Sequence, residues 1–216
     1  MKTIILVVFL LIATRADAVL IDFEIGPRCI GSNTNCAPEL FSGNPLTTRY
    51  QNLGVIFSGP APGQGGEILW DGSFGHAAHS GVAILAFNTS SLAGQPIFPE
   101  ILTFLQPVSH VEIWGASGQQ CFTPECVAAN TQTFLMEAFN SLNALVGSST
   151  VAAFNFSRLS VDGSGITSVR INRLSGSAGS EFDDLLFTPQ AVPEPSALLL
   201  LLIGLAAPFA RSRKIA

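Results

Sequence analysis

The chain has 216 residues, of which 48% are hydrophobic and 12% charged, with a formal net charge of -5. That length allows one domain or two small ones. High hydrophobicity with few charges excludes a disordered chain, and the negative balance argues against a nucleic-acid partner, whose phosphates it would repel.

At the N-terminus Lys2 precedes an apolar run from Ile4 to Ala13, followed by Ala16-Asp17-Ala18. A basic start, an apolar centre and small residues at Ala16 and Ala18 are the three parts of a secretory signal read by signal peptidase. The run falls short of the roughly 20 apolar residues that span a bilayer. Residues 1–18 are therefore expected to be an export signal, with a buried strand or an uncleaved anchor as the rival readings.

Residues 19–189 contain 13 acids, five arginines and no lysine, a net charge of -8. Val19, Ile21, Phe23 and Ile25 alternate with Leu20, Asp22 and Glu24, the period of a half-buried strand. Further strands are predicted over 54–58, 82–87, 101–105, 110–114, 133–140, 151–156, 167–173 and 182–188. Turn-rich clusters such as Ser58-Gly59-Pro60-Ala61-Pro62-Gly63 and Asp162-Gly163-Ser164-Gly165 stand between them. Residues 26–48 are expected to be a long loop, and no segment carries a sustained helical stripe. Strands with turns between them predict an all-β chain folded as a β-sandwich of the jelly-roll kind.

Four cysteines in an exported chain suggest disulfides, for which three connectivities exist. Local pairs, Cys29–Cys36 and Cys121–Cys126, are preferred because each closes a short loop of turn residues; zinc and free thiols remain alternatives. His76 and His79, close after Glu67 and Asp71, could hold a transition metal, but lie on a Gly-rich loop rather than a helix. Glu112 and Glu137 are the carboxylates an acid/base enzyme acting on carbohydrate would use, although nothing in the sequence brings them together. For sugar binding a flat aromatic surface with polar neighbours is needed. Trp70, before Asp71-Gly72, is the better candidate; Trp114 shares a strand face with Glu112 and His110 but is expected in the core.

The C-terminus reads Val192-Pro193-Glu194-Pro195, an apolar stretch over 196–210, then Arg211, Arg213 and Lys214. As a helix that stretch is about 22 Å long, short of a hydrocarbon core of roughly 30 Å. Its basic end predicts a cytoplasmic tail, with the preceding domain outside. One reading of these residues is a plain tail anchor.

The other is a sorting signal, because this tail resembles the PEP-CTERM segment of exported bacterial proteins. The resemblance implies recognition by an exosortase, a membrane anchorage through the C-terminal helix that lasts until processing, and a final place at the cell surface or in extracellular matrix. Within the core, Ile21-Asp22-Phe23-Glu24, then Tyr50 with Gly54-Val55 and Phe57, then His79-Ser80-Gly81, and finally Glu181-Phe182-Asp183-Asp184-Leu185-Leu186-Phe187 are similar to extracellular jelly-roll domains that look like carbohydrate-binding modules. That similarity implies exopolysaccharide as a partner. It also implies a structural calcium tying the first strand to the last, with Glu24, Asp183 and Asp184 as ligands.

Overall fold

The computed structural model describes residues 17–24, 45–71, 77–87, 98–176 and 179–190, the side chain of Trp70 excepted, and all of them fall in the compact unit Asp17–Gln190. The expected signal sequence through Ala16, the pair Cys29–Cys36, His76 and the sorting tail lie outside the described residues.

Nine strands are described: β1 (Val19–Ile21), β2 (Val55–Ser58), β3 (Glu67–Trp70), β4 (Ala83–Ala86), β5 (Glu100–Ser117), β6 (Gln132–Asn140), β7 (Leu145–Ala153), β8 (Ser157–Ser175) and β9 (Ser180–Pro189). One short helix, α1 (Pro124–Asn130), joins β5 to β6. Every pairing is antiparallel, in the order β3-β4-β9-β5-β8-β6-β7, with β1 also on β9 and β2 also on β5. The all-β expectation holds.

Two strands carry the architecture. The first part of β5 pairs with β2 and with the end of β8, whereas its last part pairs with β9 and with the start of β8. β5 and β8 therefore pass from one layer of the sandwich into the other. Each bends where it crosses. On β5 four residues, ending in Pro107, bulge against Thr167 of β8. On β8 Gly163-Ser164-Gly165 bulge against Ser109 of β5, and Gly165 takes a φ of 70° that favours glycine.

Here the sequence expectations need correction. The predicted strands 101–105 and 110–114 are one continuous strand, and the cluster Asp162–Gly165 is a kink inside β8 rather than a turn. Gly and Pro mark the bend equally well in either case; only pairing on both flanks tells a kink from a loop end. β7 starts six residues before the predicted 151–156 strand, and no predicted strand covers β3. α1 also appears where no helix was expected. Thr123 caps it by accepting from the Cys126 N–H at 3.3 Å, and Pro124 occupies the first turn, where its missing N–H costs nothing. A disulfide joins Cys121 and Cys126 across 5.4 Å between Cα atoms, in the same turn.

The core lies between the layers. Phe134 of β6 meets Phe182 of β9 with ring centroids 5.0 Å apart, and Phe104 of β5 meets Phe187 of β9 at 5.1 Å. Phe87 stacks on Phe182 at 4.2 Å, and Phe23 packs edge-on against Phe57 and Tyr50. Burying each such side chain contributes about 2–3 kcal/mol, enough to set the alternation of every central strand.

Candidate functional site: the outer face of β9, β5 and β8

Along β5 the residues Val111 and Ile113 are fully buried, so the pleat turns His110, Glu112 and Trp114 to the opposite, outer face. β8 supplies their neighbours in register: Asp162 opposite His110, Ser160 opposite Glu112, and Arg158 opposite Trp114. Side chains on this face hold one another. His110 Nδ1 lies 2.8 Å from Asp162 Oδ1 and its Nε2 lies 3.6 Å from Glu112 Oε2. Arg158 reaches the same Glu112 oxygen at 3.5 Å while staying 58% exposed. Trp114 is half-buried rather than enclosed in the core, contrary to expectation. Its ring stacks on His79 with centroids 3.9 Å apart and planes 17° from parallel, and Phe156 leans on the same imidazole at 5.9 Å.

His79 is fixed from below by the end of the domain. Its Nδ1 lies 2.6 Å from Asp184 Oδ2, and Ser80 Oγ donates to Asp184 Oδ1 at 2.7 Å. The Ser80 N–H donates to Asp183 Oδ2 at 2.9 Å. A bulge positions both acids. Between Glu112 and Trp114 the β5 strand has one residue while β9 has two, Asp184 and Leu185, and Asp184 adopts a φ of 47°. Asp183 is thus fully buried and holds the loop backbone, while Asp184 holds the His79 and Ser80 side chains.

Glu24 grips the same loop from the other side. Its Oε1 accepts from the N–H groups of Val82 at 2.6 Å and Ala83 at 2.9 Å, the entry to β4. Gly81 lies against that carboxylate with a φ of 61°, so a side chain there would both strain the backbone and strike Glu24. The three acids expected to hold calcium are therefore occupied by N–H, O–H and imidazole groups. Among the described residues no three His, Cys, Asp or Glu side chains are gathered to hold a metal ion. His79 Nδ1 has Asp184 as its partner, and Asp71 accepts from the Ala78 N–H at 3.2 Å.

Behind this face lies a layer of buried acid. Glu181 is fully buried and neither carboxylate oxygen accepts a hydrogen bond. Burial pushes its pKa up to about 8, with the negative charge of Asp71 adding to the shift. Burial also pushes Asp183 up to about 7; the Ser80 N–H opposes that shift and the Asp184 charge reinforces it. Both groups hold a proton near neutrality because a charge is poorly solvated in the protein interior.

The other candidates are dispersed. Glu137 stands opposite Ser148 and Arg170 on β6, whereas Glu112 stands opposite Ser160 and Leu186, so the two carboxylates do not form a pair. Trp70 is paired in the backbone with Ala83 at the end of β3. Ser80, Arg158 and Asp162 belong to the face although none of them was a candidate site residue from the sequence. Arg158 and Ser160 do alternate with the buried Leu159 and Val161, a signal hidden by reading the following glycines as a loop end. Among the described residues no helix is long and apolar enough to cross a membrane.

Comparisons with known proteins bear on both parts of the chain. No curated protein matches it. Among solved structures it is similar to the CBM22-1–GH10 modules of Clostridium thermocellum xylanase 10B, with a TM-score of 0.38 and 12% identity over 62% of this chain and 26% of that one. The K1 cleaved adhesin domain of Lys-gingipain from Porphyromonas gingivalis gives a TM-score of 0.41 at 10% identity, over 63% of this chain and 90% of that domain. The CBM22-2 xylan-binding domain of Paenibacillus barcinonensis Xyn10C gives 0.34 at 13% identity, over 62% and 91%. Residues 191–214 match the PEP-CTERM protein-sorting motif, the segment holding Val192 to Pro195 and the basic cluster Arg211, Arg213 and Lys214. The chain is thus an exported protein that ends in a PEP-CTERM signal for exosortase sorting.

Proposed function

We propose that this protein is a non-catalytic component of the cell surface or extracellular matrix that binds a neutral polysaccharide across the outer face of β9, β5 and β8. The observation that carries the reading is the His79–Trp114 stack beside the linked side chains of His110, Glu112, Arg158 and Asp162. A sugar ring has an apolar face and a rim of hydroxyls. The aromatic step offers a flat surface for the first, and the network offers donors and acceptors already held in place for the second. A charge of -8 over residues 19–189 disfavours a polyanion and so favours a neutral chain. Glu112 serves here as an acceptor tied to Arg158 and His110, and the other carboxylate on this face, Asp162, is held through the same His110 imidazole, so both act as fixed acceptors for sugar hydroxyls.

The test is binding of the purified full-length protein to a panel of insoluble and soluble polysaccharides, including the exopolysaccharide of the producing cells. Retention of one neutral glycan in the presence of a chelator is expected, and Trp114→Ala should weaken it about tenfold or more, the usual loss on removing an aromatic platform. Unaltered binding by a folded Trp114→Ala protein would move the site elsewhere, with Trp70 next to be tested.

A further inference from the structure

Along the path of described strands the outermost are β3 and β7, and they are finished differently. β3 has four residues and is flanked by acids, Glu67 at its start and Asp71 just after its end. β7 has nine residues, and no described strand lies beyond it. Short strands, charges, prolines and bulges are the usual protection of a sheet edge, whose outward N–H and C=O groups otherwise recruit another strand. β7 has no proline and no charge, and its one irregularity lies at the turn, beside Ala138 and Phe139. The charge-free stretch is longer than the strand itself. From Ala138 to Ser157 there is no Asp, Glu, Lys, Arg or His, within a region whose net charge is -8.

The side chains fit the same picture. Facing the core, β7 offers Gly147 and Ser149, opposite Ala138 and Met136 of β6, and a Cβ on Gly147 would press into Val161 of β8. On the outer face Ser148, Thr150 and Ala152 are exposed, as are Leu142 and Leu145 at the hairpin end, 86% and 56%. Small hydroxyl and apolar side chains leave the edge open to close approach by a backbone.

We propose that β7 is a pairing edge for a second copy of this chain, which joins it antiparallel about a two-fold axis and continues the sheet from one molecule into the next. The charge pattern selects that occupant. Two copies of an acidic domain repel across most of their surfaces, whereas β7 itself brings no carboxylate to the contact, and Glu137, opposite Ser148, stands one strand further in beside Arg170. An axis through Ser149 would place Ser148 of one copy opposite Thr150 of the other, a hydroxyl pair of the kind that stabilises neighbouring strands.

The test is sedimentation of the purified full-length protein across a concentration series, alongside amide hydrogen exchange. A monomer–dimer equilibrium is expected, with exchange slowing in β7 as the dimer forms. The double variant Ser148→Asp, Thr150→Asp places like charges opposite each other in the pair and should raise the dimer dissociation constant about tenfold or more, with an unchanged melting temperature for the monomer. A chain that stays monomeric throughout, or a dimer that survives both substitutions in a folded protein, overturns the proposal. So does β7 protection that appears only on adding polysaccharide, which would assign the edge to the glycan. A variant that fails to fold leaves the decision to hydrogen exchange on the unaltered protein, where β7 protection independent of concentration counts against the pairing.

Discussion

The two sides of this domain solve the problem of charge in opposite ways. Around β4 and β9 the chain buries acids, Glu181 and Asp183, and grips a loop with Glu24 and Asp184. Around β6 and β7, from Ala138 onward, it uses no charge until Arg158. The acid-rich side gains fixed geometry, because a carboxylate accepting N–H groups holds a loop where apolar packing could not. It also inherits a dependence on protons. The other side brings no titratable side chain between Ala138 and Ser157.

That contrast is most easily broken by pH. A buried acid whose pKa is raised keeps its proton in the folded state after the unfolded chain has lost it, so stability falls as pH rises. For Asp183 the window runs from 3.8 to about 7, and for Glu181 from 4.5 to about 8. The stability these two groups permit is fully present below the window and lost above it; each window is more than three pH units wide, and at about 1.4 kcal/mol per unit the fall is at most about 9 kcal/mol between pH 4 and pH 9. Urea unfolding at a series of pH values should show it, and Glu181→Gln should flatten the alkaline part of the curve. A variant that falls as steeply as its parent would mean that Glu181 does not titrate in that range.

A smaller loss tests the grip itself. Gly81→Ala forces a left-handed backbone on alanine and drives its Cβ into the Glu24 carboxylate, which is expected to cost about 3 kcal/mol. Glu24→Ala, which leaves the Val82 and Ala83 N–H groups without their acceptor, should resemble it. In the double variant the two losses should fall short of their sum, because both act on one contact. Full additivity in denaturant unfolding would separate the glycine from the carboxylate.

Reduction of the Cys121–Cys126 bond is the mildest of these changes. A loop this short contributes about 2 kcal/mol, or roughly 6 °C in a domain of this size. The loss should be the same at pH 5 and pH 9, since a disulfide does not itself titrate. A reductant effect that grows with pH would tie the two regions together.

The fold was legible where burial alternates strictly with exposure. In β9, Phe182 and in β5, Val111 and Ile113 announce themselves by period two, and the all-β architecture follows. What escaped was anything decided by partners distant in sequence. Gly163 and Gly165 look alike whether they end a strand or bend it, and β3 is too short to show a period. The site was half visible for the same reason. Trp114, Glu112 and His110 share a face by spacing alone, but the stack of His79 on Trp114 exists only because the β9 bulge delivers Asp184 to the loop. Glu24, Asp183 and Asp184 all bond to the loop before β4, and their spacing could not reveal that backbone N–H groups would reach them.

The placing of β9 has a consequence for timing. The strand made last does not sit at a border of the sheet; it lies between β4 and β5 and also takes up β1, the strand made first. Gln190 then fastens the end, its N–H on the Pro107 carbonyl and its side chain on the Gly165 N–H, each at 2.8 Å, one residue before the sorting motif begins. A chain threaded across a membrane from its N-terminus cannot complete this sandwich until residue 190 has emerged. Completion of the sandwich therefore waits on the residue that directly precedes the sorting motif, which ties the last step of folding to the arrival of that motif.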